Sequence, residues 1–288
     1  EYDDNERKLT IIHIDSNGYE CNCQDGYSRQ ITWYDKYGRQ IGFEYITEDG
    51  SILGEIEFKD YIETGSHECI YYMHNEDGNG NIIPDANGCT FKYIEDDEKG
   101  RHIKIRFLNE DKRPMADKDG IFGQEYKYED DRHIIEITCI GESGLPINNN
   151  QGYCIVHVFK DENNRESKRM YFDIDGKPAK VNLLLGCNGL SYEYPNEYTI
   201  ITGYLNEHGN ISINRHGYAY CEEYTNPQTG TRKIFYYDED RNNTRSSEND
   251  EMEYGRMISL DSNGIRYSSL GKDGTVSNNA CGYAIKQE

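Results

Sequence analysis

Glycine recurs along this chain with a spacing close to 32 residues: Gly88, Gly120 and Gly152 are each 32 apart. A fixed period of this size marks one supersecondary unit used many times over. It confines the fold to an array in which each unit packs on its neighbours. Residues 120–151 show the unit best. Phe122, Tyr126 and Tyr128 fall on one side of a period-two run, a polar reversal covers 129–133, and 134–140 alternates again before Gly144 and Pro146. Two such runs joined by turn residues predict a β-hairpin. The same register places unit starts at Gly26, Gly54, Gly88, Gly120, Gly152, Gly189, Gly217, Gly255 and Gly282. A second turn follows 24 residues later at Gly50, Gly78, Lys112, Gly144, Gly176 and Arg241, and earlier at Gly209 and Gly274 in two shorter units. An aromatic near offset 19 recurs as Tyr45, Phe107, Tyr171 and Tyr236. The expected fold is all-β, a tandem, solenoid-like or fibre-forming array of nine β-hairpin repeats, continuous over 1–288.

An isolated hairpin is marginal in water, so each unit needs the next one to cover its apolar stripe. Asp-Gly and Asn-Gly pairs at the turns supply the positive φ that tight reversals require. The apolar fraction is only 35%, and 26 tyrosines outnumber 8 phenylalanines, which suits half-buried sheet faces and a thin, distributed core. A net charge of −22 speaks against nucleic acid and anionic membrane surfaces as partners. No apolar run of about 18 residues is available for membrane insertion.

Motifs for chemistry are sparse. The chain has no HExxH, G-x-S-x-G, P-loop or GxGxxG pattern, and its eight histidines have no repeated partner, so a non-enzymatic protein without a cofactor or metal is expected. The nearest approach to a calcium loop starts at Asn75 and has Gly80 at its sixth place, but its twelfth place is Ala86, which leaves no bidentate carboxylate. Seven of the nine cysteines lie within five residues of a unit-opening glycine. Stacked in register, Cys154 with Cys187, and Cys21 or Cys23 with Cys281, are candidates for disulfides in an oxidising setting; the alternative is a band of small buried hydrophobes. The pairs Tyr71 with Tyr72, Tyr171 with Phe172 and Tyr236 with Tyr237 are candidates for stacking on glycans, against the alternative of packing between units. Asn210 and Asn242 begin glycosylation sequons.

The aromatic–acidic–glycine signature, as in residues 171–176, resembles the cell-wall-binding and toxin-type repeats of Gram-positive surface proteins. The Tyr34-Asp35 and Tyr237-Asp238 segments resemble the YD-type repeats of large bacterial surface and toxin-shell proteins. Both resemblances imply a cell-surface or extracellular setting, and the first also implies glycan partners.

Placing residues 282–288 ahead of residues 1–25 yields one further unit of 32 residues, with Gly18 as its second turn. Gly282, Tyr283 and Ile285 on one side and Leu9, Ile12 and Ile14 on the other are thus candidate assembly residues between copies, along a longer chain, or within one chain closed into a ring. The expected function is an extracellular structural protein, a fibre or surface-stalk segment assembled head to tail with itself by strand addition. The alternative is a glycan- or cell-wall-binding repeat module.

Overall fold

A computed structural model describes residues 2–3, 8–23, 25–35, 39–52, 56–62, 69–77, 80–129, 134–247, 253–261, 264–277 and 285–287. The chain is all-β, as the two-residue periodicity predicts, and one 3₁₀ turn at Asn182–Leu184 is the sole helical element among the described residues. It divides into two compact units, Glu1–Tyr126 with Cys139–Pro146, and Lys127–Thr138 with Ile147–Glu288.

The first unit contains β1 (Tyr2–Asp3), β2 (Lys8–Ile12), β3 (Arg29–Tyr34), β4 (Gln40–Ile46), β5 (Ile56–Ile62), β6 (Cys69–Glu76), β7 (Ile82–Ile83), β8 (Phe91–Asp96), β9 (His102–Leu108) and the start of β10 (Gly123–Tyr128). Each strand pairs antiparallel with the next, except that β6 takes both β7 and β8. Trp33, Gly42, Phe58 and His74 lie directly opposite one another across β3 to β6. Gly42 has no ring, so Trp33 reaches over it to stack on Phe58 at 5.6 Å. Phe58 then meets His74 at 5.7 Å and His74 meets Phe91 at 5.5 Å. The ring faces are spent on one another, which makes this row packing rather than a docking surface.

The second unit runs through the bulk of β11 (Ile134–Ile140), then β12 (Ile155–Lys160), β13 (Glu166–Phe172), β14 (Gly189–Asn196), β15 (Thr199–Leu205), β16 (Tyr220–Thr225), β17 (Arg232–Tyr237), β18 (Gly255–Asp261), β19 (Gly264–Leu270) and β20 (Ile285–Gln287). Again each strand pairs with its sequence neighbour. The hairpin register is constant: Ile155 faces Phe172, Gly189 faces Leu205, Tyr220 faces Tyr237 and Gly255 faces Leu270. This ladder puts Gly189 at the place of Ile155, three residues beyond the opening-turn Gly152. The structural counterpart of Gly152 is accordingly Gly186, at φ 85°, and Gly189 serves another purpose. A Cβ there would stand 2.3 Å from the Arg169 carbonyl oxygen, so only glycine fits against β13.

One turn builds almost every connection. In residues 173–177 the Asp173 N–H donates to the Lys177 carbonyl at 2.8 Å and the Gly176 N–H donates back to the Asp173 carbonyl at 3.0 Å. The Asp173 carboxylate accepts from the N–H of Asp175 and of Lys177, both at 2.9 Å. The same set recurs at Asp15, Asp97, Asn149, Asp161 and Asn214. The position three after the acceptor carries positive φ, as a three-residue loop closed by a left-handed residue requires. The sequence pattern of Asp next to Gly thus marks the right glycine for a different reason. The acidic residue that matters stands three places earlier, where its side chain satisfies two backbone donors. Gly78 lies outside the described residues, and in its neighbourhood Gly80 has the positive φ.

Two such turns in succession return the chain across one face of the sheet. After β13, the N–H of Ala179 donates to the Tyr171 carbonyl at 2.8 Å, and Ala179 and Val181 close over Val156, Val158 and Tyr171. Leu184, from the inserted leucines, joins this cluster, while Leu183 is exposed. The residue just before several opening strands is buried. Ser28, Cys154, Asn188 and Ala219 are all so placed, and the N–H of each donates to the carbonyl that ends the hairpin's second strand. The larger Phe122 holds the same place before β10, half-buried, and its N–H donates to the Ile140 carbonyl.

The turn chemistry can be measured directly. Asp173→Asn keeps the side-chain acceptor and should shift stability by no more than about 0.5 kcal/mol, whereas Asp173→Ala leaves both N–H groups unsatisfied and should cost about 1 kcal/mol in urea unfolding. No atom lies within 4 Å of a Cβ built on Gly176. Gly176→Val should nevertheless cost about 1–2 kcal/mol, because its φ of 76° is strained for a branched residue. A neutral Gly176→Val would show that space, and not backbone angle, sets the residue there.

Candidate functional site

A concavity in the second unit lies on the sheet face of β15 to β17 that carries Ile201, Tyr220 and Tyr237. The ladder aligns Gly203, Tyr220 and Tyr237 in one row and Ile201, Glu222 and Phe235 in the next. Ile201, Tyr220, Glu222 and Tyr237, with Arg241 from the turn after β17, line a pocket of about 210 Å³. The Tyr237 hydroxyl donates to Glu222 Oε2 at 2.9 Å. Burial first, and this bond second, push the Tyr237 phenol up to about 12. Arg241 folds back over the face, its Cζ 4.3 Å from the centre of the Tyr220 ring, and pairs with Glu193 on β14. That pairing raises the Arg241 guanidinium above its ordinary value.

Arg241 holds the turn position that glycine usually fills, at φ 63°. The other basic residue there, Lys112 in the first unit, behaves alike: its Nζ lies 4.1 Å from the Tyr72 ring centre and 4.8 Å from that of Phe91. The two breaks in the glycine pattern therefore share a physical cause. Each long cationic side chain gains a ring to cover, which offsets about 1 kcal/mol of left-handed strain.

Of the predicted stacking residues, Tyr237 alone lines the pocket. Tyr71, Tyr171 and Tyr236 are buried, Tyr72 lies beneath Lys112, and Phe172 packs on His157 at 4.6 Å. Each of the three buried rings packs on another tyrosine: Tyr61 meets Tyr71 at 5.2 Å, Tyr153 meets Tyr171 at 4.8 Å and Tyr218 meets Tyr236 at 4.7 Å. Cys187 is a buried thiol whose pKa burial raises, and Cys21 and Cys23 are half-buried thiols. Cys89, Cys154 and Cys187 are buried within two residues of a strand start. Cys281, Gly282 and Tyr283 lie outside the described residues, as does Gly54.

Leu9 sits on β2 opposite Tyr2 and Thr32, Ile12 faces Arg29, Ile14 is exposed, and Ile285 on β20 faces Ser268. Asn210 and Asn242 are exposed at turn ends. The Asn75 loop behaves as a turn, with Asp77 accepting from the N–H and side-chain amide of Asn81. No group of three or more His, Cys, Asp or Glu able to hold a metal occurs among the described residues. Sequence reasoning missed Tyr220, Glu222, Ile201 and Glu193, which come together only through the ladder. Arg241 did leave a signal, as a charged residue at a glycine position. Compared with known proteins, the chain matches no family model and no curated protein.

The phenols give a pH signature. Tyr192 and Tyr237 titrate near 12 in the folded chain, mainly through burial, and Tyr204 and Tyr236 are raised further. A raised folded pKa contributes stability that is intact below 10, the unfolded value, and lost as pH climbs toward 12. Tyrosinate absorbance should therefore rise together with loss of β-sheet circular dichroism in that window. Ionisation of these four phenols near 10 with the fold intact would contradict the burial.

Proposed function

We propose that this protein is an extracellular, non-enzymatic structural protein, a fibre or stalk segment whose β-hairpins add edge to edge. The observation that carries this reading is the invariance of the ladder. Gly189 on Met170 and Leu190 on Arg169 use the same spacing as Ile285 on Ser268 and Lys286 on Tyr267, so every added hairpin meets the same backbone template. Strand addition along such a template uses backbone hydrogen bonds and tolerates varied side chains. A contact between different surfaces of identical copies propagates unless rotation closes it. The exposed sequon asparagines, Asn210 and Asn242, fit an extracellular scaffold.

Negative-stain microscopy tests it. The protein should form end-to-end rows that lengthen with concentration, and a chain lacking residues 282–288 should stay dispersed. A full-length chain that sediments as a monomer at every concentration would overturn the proposal. Rows formed equally well by the shortened chain would remove β20 and its flanks from the contact.

A further inference from the structure

We propose that the pocket on β15 to β17 is a cation cage for a planar guanidinium group, and that Arg241 is its built-in occupant. Tyr220 and Tyr237 supply π faces, Glu193 and Glu222 supply carboxylates, and Ile201 gives an apolar lining for an aliphatic stem. Without Arg241 the cage holds two negative charges and no positive one, inside a chain of net charge −22. Such a field concentrates cations at its surface. The structure already displays how a guanidinium sits there: one face over Tyr220 at 4.3 Å, one edge on the Glu193 carboxylate. A flat delocalised cation matches a ring and a carboxylate at once, which an ammonium does less well.

Arg241 is held loosely. Its side chain is 45% exposed and that of Glu193 is 49% exposed, so solvent weakens the ion pair. The backbone favours its removal, since most of the equivalent turns carry glycine at the residue with positive φ, Lys112 and Asn164 being the other exceptions. An external guanidinium, such as an arginine side chain of a basic partner, competes with Arg241 for the same ring and carboxylate. Its apparent affinity is lowered by the fraction of time Arg241 occupies the cage. The proposal goes beyond the scaffold role and does not depend on it.

Agmatine, which carries a guanidinium on an aliphatic stem, is the probe, and binding is followed by NMR titration and calorimetry. The intact protein should bind it weakly and saturably, and Arg241→Gly should bind it at least about tenfold more tightly. Adding Glu193→Gln or Tyr220→Leu to Arg241→Gly should abolish the gain. Arg241→Gly restores the usual turn residue and is expected to fold at least as well as the parent, so loss of structure does not confound the comparison. If folded Arg241→Gly gave no saturable binding, or bound methyl glycosides in preference to agmatine, the cage would be refuted. Tightening that survived both added substitutions would equally refute it.

Discussion

The hydrogen bonds from an Asp or Asn side chain to two backbone N–H groups of its own turn are the constraint on which this protein depends. Strands of six or seven residues cannot close a hairpin without reversing sharply, and every reversal leaves backbone donors pointing inward. At residues 173–177 a single carboxylate answers two of them at 2.9 Å each. The left-handed residue at the fourth place then sets the next strand off in the right direction. Because the same device appears inside the hairpin at Asp161 and on both sides of it at Asn149 and Asp173, the register is fixed locally, three times per repeat. The strands inherit their alignment from the turns.

That alignment makes a thin core sufficient. The fully enclosed positions among the described residues are few and include Ser28, Cys154 and Ala219 just before opening strands, and Ile140 and Leu270 at the ends of second strands. Tyrosine carries much of the remaining burial, with its ring packed and its hydroxyl reaching a partner, as Tyr194 does to the Glu166 carbonyl at 2.8 Å. Small thiols serve equally well as fillers. The buried cysteines near strand starts fit this filling role.

Departures from the repeat are where chemistry enters. Lys112 and Arg241 accept an unfavourable backbone angle, and in both cases a cationic side chain is laid across aromatic rings. The ion pair of Arg241 with Glu193 spans from the turn after β17 to β14, so residues 48 apart in sequence share one pocket edge. A local conflict accepted in exchange for a longer-range contact is the pattern expected where a scaffold carries something more than its own stability.

The sequence by itself determined the all-β class, the positions of strands such as Gly123–Tyr128 and Ile134–Ile140, and most of the turn glycines. These follow from period-two alternation and from backbone angles that few residues besides glycine accept, both local properties legible one segment at a time. The tertiary structure alone decided which ring of each aromatic pair is buried. It also decided that Gly189 is needed for close approach to β13 rather than for a turn. The pocket belongs to this second group. Tyr220, Glu222, Tyr237, Ile201 and Glu193 are ordinary strand residues in the sequence, and only the cross-strand register brings their side chains onto one face, where Arg241 can reach them.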